Sequence, residues 1–392
     1  MTIVHPEVLP SSGISVTERH GSRECARVEW RVGDAGDPAE IAQTFVKGFG
    51  LGLPEREGEL TEREHRAAPI CGARMYVSAA AGAVMVGGPP GVSSPTPDIP
   101  DVVVAVYEHA PDAVPADHQG RPWRLGPWTP SWTSAAHAAA VERVWEAIAR
   151  GDVYQVNLVG HASAPYTGDP LPALRRITAL PGARYPHLLT GDGWALACAS
   201  PETLLRVRHG RAETLPIKGT RPATAVGRSE LLASAKERAE HIMIVDLERN
   251  DLAQVARIGS VEVASLFAVR RWCDLWQAES RVAADLADGV DLAALLRAMC
   301  PGGSVTGAPK LAALAQIAAL EPVGRGPSMG ALGWLDHDGL DLGLTIRTVA
   351  VDRERVHLWA GGGITWDSDP AAEVAEAAAK AAPLRAALAA RE

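Results

Sequence analysis

The chain has 392 residues, of which 47% are hydrophobic and 22% charged, and a formal net charge of -9. This length suits one large α/β unit with a substantial core, and dispersed negative charge argues against nonspecific nucleic-acid binding. The five cysteines form no C-x-x-C pair and no run of about eighteen apolar residues occurs, so we expect a cytoplasmic protein that binds neither nucleic acid nor membrane, without a disulfide framework or zinc motif.

The first third of the chain predicts short strands between turn-rich segments. Val102–Tyr107 is typical of a strand, and the Gly- and Pro-rich stretch Asp117–Thr133 predicts a connection. A helix is predicted from Ser134 to Arg150, because apolar residues recur every three or four positions and Ser134 can cap its start. We find no chemical motif before this helix.

Strands dominate much of the remaining chain. Six runs are predicted as strands: Ala195–Cys198, Leu204–Val207, Ala212–Leu215, Ala331–Leu335, Leu344–Val351 and Val356–Trp359. Short turns connect adjacent runs, for example Asp336–Gly339 and Asp352–Arg355. Such turns favour antiparallel pairing over a parallel, nucleotide-binding sheet.

Two predicted helices carry carboxylates at helical spacing. One helix is predicted from Ser229 to Val245, and the other begins with Asp369 as its N-cap and Pro370 in its first turn. Their charged residues recur at three and four positions: Glu237, Glu240, Glu373, Glu376 and Lys380. Each set alone is typical of a solvated face, but if the helices meet, the carboxylates offer the hard oxygen ligands that suit Mg²⁺.

Two glycine-rich loops suit an anionic ligand. Pro301–Lys310 leads into a predicted helix, whose first backbone amides can face a carboxylate or phosphate. The loop departs from a phosphate-binding P-loop because Ala308 stands where that motif needs lysine. The second loop, Gly361–Gly363, precedes the glutamate helix, and a purely structural turn is an equal alternative for it. A noncatalytic anion- or nucleotide-binding module is therefore one hypothesis.

Lysine is scarce in this chain, with five lysines among 38 basic residues. One of them, Lys218, lies in the segment Pro216–Thr220. Arginine does not lose its proton in a protein, whereas a partly desolvated lysine does, so a retained lysine suits a step that needs a neutral amine. A solvated or ion-paired lysine is the ordinary alternative.

Eight segments together resemble the chorismate-utilising enzymes in their order along the chain. They are Gly151–Leu158, Ser200–Glu202, Pro216–Thr220, Lys236–Glu240, Met243–Leu252, Gly302–Lys310, Ile346–Thr348 and Asp367–Lys380. The resemblance covers residues 134–390 and is closest to the aminodeoxychorismate synthase component I branch. It implies an α+β fold of the anthranilate-synthase type, with antiparallel sheets in a sandwich flanked by helices. Residues 1–130 would contribute to the same α/β unit, and residues 131–392 would form the chorismate-binding catalytic region.

The resemblance also implies roles for particular residues. In this family Mg²⁺ holds the ring carboxylate of chorismate, which implies Glu240 and Glu376 as ligands, with Glu237 and Glu373 close behind. Glu202 would be the general acid that protonates the departing 4-hydroxyl, so its carboxyl must stay protonated near neutral pH. The implied substrate contacts are Gln155, Gly219, Thr220, Thr306, Gly307, Arg347, Gly361, Gly362, Gly363 and Lys380.

Two positions distinguish the relatives from one another. In the aminodeoxychorismate branch, the lysine that matches Lys218 attacks ring carbon 2, and ammonia then adds at carbon 4 and expels it. Anthranilate synthases, the enzymatic alternative, usually carry alanine there. Isochorismate and salicylate synthases have lysine where this chain has Gln155, and an amide cannot deprotonate water. We therefore expect conversion of chorismate and ammonia to 4-amino-4-deoxychorismate, for folate or for a secondary metabolite.

The chain has no sign of its own ammonia source, and it departs from the family pattern at several positions. None of the cysteines has the glycine-rich setting of an amidotransferase nucleophile, so we expect a separate glutamine amidotransferase subunit, with free ammonia as a poorer substitute. Gln277 stands where many relatives have histidine, and Ser328 where they have tyrosine. Gly362 replaces a more usual alanine, and Trp366 is a bulky residue before the glutamate helix. These departures bear on substrate positioning rather than on the class of reaction.

Overall fold

The computed structural model describes residues 2–4, 22–53, 69–110 and 121–390. Its helices are α1 (Pro38–Lys47), α2 (Ala79–Met85), α3 (Ser134–Ala149), α4 (Leu171–Thr178), α5 (Ala225–Ala233), α6 (Ala235–Ala253), α7 (Leu292–Met299), α8 (Lys310–Leu320) and α9 (Pro370–Ala389). A 3₁₀ turn covers Gly303–Val305. In this described part of the chain, no helix is both long and apolar enough to span a membrane.

The strands alternate with these helices along the chain. They are β1 (Thr2–Val4), β2 (Ser22–Trp30), β3 (Ile70–Val77), β4 (Val102–His109), β5 (Arg124–Leu125), β6 (Thr129–Pro130), β7 (Gln155–Thr167), β8 (Tyr185–Gly191), β9 (Trp194–Ser200), β10 (Thr203–Arg208), β11 (Arg211–Leu215), β12 (Ile217–Pro222), β13 (Glu262–Trp272), β14 (Leu275–Asp285), β15 (Gly307–Ala308), β16 (Ala331–Asp336), β17 (Gly339–Leu344), β18 (Thr348–Val351) and β19 (Arg355–Ile364). Most predicted strands are present, with ends shifted by a few residues.

The strands form two antiparallel sheets. The larger has the order β1-β2-β4-β3-β16-β17-β10-β11-β14-β12, with β13 also paired to β14. The smaller has the order β15-β7-β19-β18-β9-β8, with β5 and β6 also paired to β7. The predicted antiparallel pairing is thus confirmed. Strands from the first third join the larger sheet through β3 and β16, while the division near residue 130 stays a prediction.

The main core lies between the two sheets, as the alternation along β9 shows. Leu196 and Cys198 belong to the buried cluster shared with the larger sheet. Ala195, Ala197 and Ala199 belong to a second cluster, under α4 and α9. Successive side chains of a strand point to opposite faces, so a strand covered on both faces must be apolar throughout. This explains why β9 is buried along its whole length.

Three details of the predicted elements are wrong. The helix predicted from residue 229 to 245 is two helices, because Ser234 adopts an extended backbone and its side chain accepts from the N–H of Glu237, which caps α6. The strand predicted from 344 to 351 is interrupted between β17 and β18, where Arg347 has φ of 52°. Thr133, not Ser134, is the N-cap of α3. The predicted connection 117–133 lies outside the described residues as far as position 120.

Candidate active site

One cavity gathers most of the predicted site residues. Its walls come from β7, β12, β19, α6, α9 and the 3₁₀ turn, so segments far apart in sequence face each other. The predicted residues that line it are Glu202, Lys218, Gly219, Thr220, Glu237, Glu240, Arg347, Gly361, Gly362, Gly363, Glu373, Glu376 and Lys380. The two glutamate-bearing helices therefore meet at this cavity, which sequence alone left open.

Lys218 extends from β12 into the cavity beside the second glycine loop. A Cβ at position 363 would overlap the Lys218 Nζ and lie 3.0 Å from Cδ of Gln155. Glycine at this position therefore leaves the space that the amine occupies. Burial lowers the pKa of the Lys218 amine, and Lys380 lowers it further, while the carboxylates of Glu240 and Glu202 raise it. The net lowering enlarges the neutral, nucleophilic fraction of the amine.

Glu202 lies in the turn between β9 and β10 and is 4% exposed. The Ser304 hydroxyl donates to Oε1 of Glu202 at 2.7 Å, and the N–H of Ile217 donates to the same oxygen at 3.3 Å. Both of these donors bind Oε1, so Oε2 is the oxygen that can carry a proton. Burial raises the pKa of Glu202 to about 7, although Ser304, Ile217, Lys218 and Arg347 act to lower it. The carboxyl therefore meets the protonation requirement of a general acid near neutral pH.

Arg347 places a buried cation at the cavity wall. Its φ of 52° is unusual for a residue other than glycine, and such strain often marks a functional position. The guanidinium carbon lies 4.6 Å from the Trp272 ring centroid, and burial lowers the pKa of the guanidinium to about 10. Among the described residues, no hydrogen-bond partner faces the Arg347 Nε. A buried guanidinium with an unused donor suits a carboxylate of a bound ligand.

The glutamates of α6 are held by neighbouring polar groups. Glu237 accepts from Nη1 of Arg221 at 2.8 Å, and Glu240 accepts from the Thr365 hydroxyl at 3.0 Å. Burial raises the pKa of Glu237, and Glu240 raises it further, while Arg221 opposes the rise. Neighbouring carboxylates that disfavour each other's charge are suited to sharing a cation.

The glutamates of α9 face them across the cavity. Glu376 accepts from Nζ of Lys380 at 2.8 Å, and the same amine donates to the Gly361 carbonyl at 2.9 Å. Although burial opposes it, the charge and hydrogen bond of Lys380 lower the pKa of Glu376 to about 2. Burial raises the pKa of Glu373, with a further rise from Glu376. Glu376 is therefore ionised at any ordinary pH.

The donor chemistry fits Mg²⁺, which is typically held by one or two carboxylates with the remaining positions left to water or ligand oxygens. Four glutamates line one cavity, and their carboxylates interact electrostatically. In residues 22–53, 69–110 and 121–390, no group of three or more His, Cys, Asp or Glu side chains is already gathered as a metal centre. A cation here would thus complete its coordination with non-protein oxygens.

Three predicted substrate contacts do not line this cavity. Thr306 lines a second cavity on the other side of the glycine-rich loop, and its hydroxyl donates to the Gly302 carbonyl at 2.8 Å. Gly307 pairs with β7, where a Cβ would overlap the Gln155 carbonyl. The Gln155 side chain is fully buried behind Gly363, and both its amide atoms lack partners within the described part of the chain.

Several residues that line the cavity were not predicted from the sequence. Asn157 and Ser304 line the cavity, as does Trp359 at the end of an apolar run. Asn157 is two residues from Gln155 on β7, so both side chains lie on the same face of the strand. This spacing is the signal from which Asn157 could have been predicted. Ser304 lies in the loop Pro301–Lys310, for which the sequence predicted ligand contacts by backbone amides and not by side chains. Of the two departures from the family pattern, Gln277 lines the cavity. Ser328 does not line it, and its hydroxyl donates to the Thr345 carbonyl at 3.3 Å.

Comparisons with known proteins extend this picture. A family model described as chorismate binding enzyme matches residues 96–386. Anthranilate synthase component 1 of Streptomyces coelicolor is 41% identical over 274 residues, covering 67% of this chain and 52% of that protein. Aminodeoxychorismate synthase component 1 of Bacillus subtilis is 35% identical over 276 residues, covering 68% of this chain and 58% of that protein. The matches thus span between half and two thirds of these relatives.

Solved structures agree on the fold. Anthranilate synthase component I from Streptococcus pneumoniae superposes with a TM-score of 0.78 at 24% identity, covering 97% of this chain and 94% of that chain. An isochorismate synthase from Bacillus anthracis gives a TM-score of 0.67 at 20% identity, covering 95% of each chain. These likenesses confirm the predicted α+β architecture of the anthranilate-synthase type.

Proposed function

The chain belongs to the chorismate-binding enzyme family, and on that premise we propose that it is an aminodeoxychorismate synthase component I. It would convert chorismate and ammonia to 4-amino-4-deoxychorismate. The observation that carries this proposal is the amine of Lys218, which extends into the cavity where Gly363 leaves room for it. A neutral amine at this place supports covalent catalysis of carbon–nitrogen exchange.

In the first step the Lys218 amine forms a bond to ring carbon 2 as the bond between carbon 4 and its hydroxyl breaks. Glu202 gives the proton from Oε2 to the departing hydroxyl, which leaves as water. Ammonia then forms a bond to carbon 4, and the bond between carbon 2 and Lys218 breaks, returning the free amine. The extra proton brought by ammonia restores the acid form of Glu202. Atoms and electrons balance without an oxidant or reductant.

Cationic groups of the cavity would hold the substrate carboxylates. Arg347 offers an Nε donor that has no partner among the described residues, and Lys380 lies beside the glycine loop. Glu240 and Glu376, with Glu237 and Glu373 nearby, would hold Mg²⁺. The ion would neutralise a carboxylate that otherwise repels the four glutamates.

One neighbour of Lys218 supports amination over hydroxylation. Gln155 lies beside Gly363 and close to the Lys218 amine, and a carboxamide has no basic site that could activate water.

We propose that a separate glutamine amidotransferase supplies the ammonia. The name of the relative from Bacillus subtilis supports this, because that protein is called component 1.

Anthranilate synthase is the second candidate, favoured by the 41% identity to the Streptomyces coelicolor enzyme of that name. That enzyme class adds nitrogen at ring carbon 2 and eliminates pyruvate. A covalent amine at carbon 2 would occupy the position that ammonia needs. Lys218 is therefore the residue on which the two candidates differ.

The test incubates the protein with chorismate, Mg²⁺ and ammonium and identifies products by mass and absorbance. We expect 4-amino-4-deoxychorismate without pyruvate release. Fluorescent anthranilate with pyruvate would transfer the assignment to the second candidate, and isochorismate would contradict both. Equilibrium dialysis against chorismate and ATP addresses the noncatalytic alternative, since ATP binding without Mg²⁺-dependent chorismate binding would overturn the enzyme assignment.

A further inference from the structure

Two acidic residues of α6 face the protein interior rather than the cavity. Glu248 and Asp251 are each 2% exposed, and neither lines the cavity. A buried carboxyl group is costly unless it is hydrogen-bonded or paired. Their neighbours therefore indicate what these two residues hold in place.

Glu248 lies directly under the glycine-rich loop. The backbone N–H of Ser304 points toward the Glu248 carboxyl and acts to lower its pKa, and the Thr214 hydroxyl donates to Glu248 Oε2 at 3.4 Å. A Cβ at position 303 would lie 3.1 Å from Glu248 Oε1 and 2.6 Å from Cδ2 of Leu247. The loop thus runs so close to α6 that a Cβ at this position would force the Leu247 side chain to shift.

The same serine contacts the candidate general acid. Its hydroxyl donates to Oε1 of Glu202 at 2.7 Å, while its backbone N–H faces Glu248, which lies directly against the neighbouring Gly303. Farther along the loop, Nζ of Lys310 forms an ion pair with Oδ2 of Asp251 at 2.8 Å. Two carboxyls of α6 therefore fasten the loop near its start and at its end, and the loop presents Ser304 to Glu202.

We propose that Glu248 is a positioning residue for the general acid: it fixes Ser304 so that the serine hydroxyl holds Oε1 of Glu202 and leaves Oε2 to deliver the proton. This inference deepens the proposed function and rests on it, since Glu202 is the acid only in that function. Lys310 and Asp251 serve the same loop at its other end.

The charges around both carboxyls indicate that Glu248 acts by hydrogen bonding. Burial raises the pKa of Glu248, with a further rise from Asp251 and Glu202, while Lys310 opposes it. These effects favour the uncharged form of Glu248. The groups that face Glu202 and lower its pKa include Ser304, Lys218 and Arg347. Glutamine at position 248 would keep an oxygen acceptor for the Ser304 N–H.

The test compares Glu248→Leu, Glu248→Gln and Ser304→Ala by the pH dependence of kcat with chorismate, Mg²⁺ and ammonium. Losing one hydrogen bond to the developing carboxylate should lower kcat about tenfold in Glu248→Leu and in Ser304→Ala. The same loss raises the pKa of Glu202, so the alkaline limb should move to higher pH in both variants. Glu248→Gln should stay within about threefold of the wild type. Should Glu248→Leu fail to fold, Glu248→Ala replaces it.

The double variant tests whether Glu248 works through Ser304. Glu248→Leu should add little in a Ser304→Ala background, because residues that act as one unit are not additive. Multiplied effects, or an alkaline limb that does not move, would overturn the inference. Asp352→Asn is the control, since it removes a carboxylate that contacts His357 far from this loop and should leave the limb unchanged. Absence of wild-type turnover would instead count against the proposed function.

Discussion

The two walls of the cavity hold carboxyl groups under opposite control. On one wall, burial raises the pKa of Glu202 to about 7. On the other wall, Nζ of Lys380 lies 2.8 Å from Oε1 of Glu376 and helps to lower the pKa of Glu376 to about 2. The same functional group is thus prepared to give up a proton on one side and to stay an anion on the other. Environment, rather than residue type, assigns the two roles.

The largest expected effect comes from removing the nucleophile. Lys218→Ala should lower formation of 4-amino-4-deoxychorismate by about a thousandfold or more, because covalent catalysis is lost. Product formation is measured with ammonium as the nitrogen source. Lys236→Ala is the matched control, since this cavity lysine lies 3.7 Å from Glu240 and has no covalent role. Equal losses in both variants would remove the special status of Lys218.

The next largest effect addresses the acid wall. Glu202→Gln should lower kcat about a hundredfold or more, since general acid catalysis typically contributes that much. In the wild type, activity should fall as pH rises through about 7, where Glu202 loses its proton. A wild-type alkaline limb that persists unchanged in Glu202→Gln would show that another group donates the proton.

The same substitution should stabilise the folded protein at alkaline pH. The Glu202 pKa is raised from 4.5 to about 7 in the folded state, so the folded carboxyl binds its proton more tightly than the unfolded one. Stability from this group is therefore greatest below pH 4.5 and declines as pH rises through about 7. Glu202→Gln should accordingly raise Tm at pH 8 relative to the wild type. The raised pKa would be contradicted if the difference in Tm between Glu202→Gln and the wild type were no larger at pH 8 than at pH 4.

The anionic wall should respond to metal rather than to pH. Glu376→Gln should raise the Mg²⁺ concentration needed for half-maximal activity about tenfold or more, because a carboxylate ligand is lost. Isothermal titration with Mg²⁺ measures the same change without turnover. Exposed Glu230→Gln on α5 provides a control that carries no cavity contact. An unaltered Mg²⁺ requirement would separate Glu376 from the metal.

A smaller effect concerns the space between the two walls. Gly363→Ala should lower kcat about tenfold, because its Cβ would overlap the Lys218 amine and force it to move. Gly362→Ala is the matched control, since its Cβ would lie 3.0 Å from Oε2 of Glu373 and 3.5 Å from Nζ of Lys380, at the end of flexible side chains. We expect a weaker effect there. The reverse order of the two effects would show that the amine does not occupy this space in catalysis.

The sequence predicted the elements of the cavity better than their arrangement. Ordered motifs and 3.6-residue spacing placed the glutamates on helices, and period-two alternation placed the strands. The meeting of α6 and α9 depends on tertiary packing and was beyond local spacing. The break at Ser234 does not follow from the spacing of apolar residues, because the spacing continues across it and the serine caps α6 only where the backbone becomes extended.

The positions of Thr306 and Ser304 show a second limit of prediction from the sequence. The motif predicts Thr306 as a substrate contact, and the structure places it on the wall of the second cavity. Ser304 is two residues away and faces Glu202 instead. In a 3₁₀ turn, a shift of one or two residues redirects a side chain by a large angle. Motif membership therefore indicates a neighbourhood, and only the fold assigns the direction.

The most direct test of the central proposal is peptide mapping of the protein after a rapid quench with chorismate and Mg²⁺ in the absence of ammonia. We expect a substrate-derived adduct on the peptide that contains Lys218, which disappears when ammonium is added and 4-amino-4-deoxychorismate forms. No adduct on Lys218, together with anthranilate and pyruvate on addition of ammonium, would contradict the proposed chemistry.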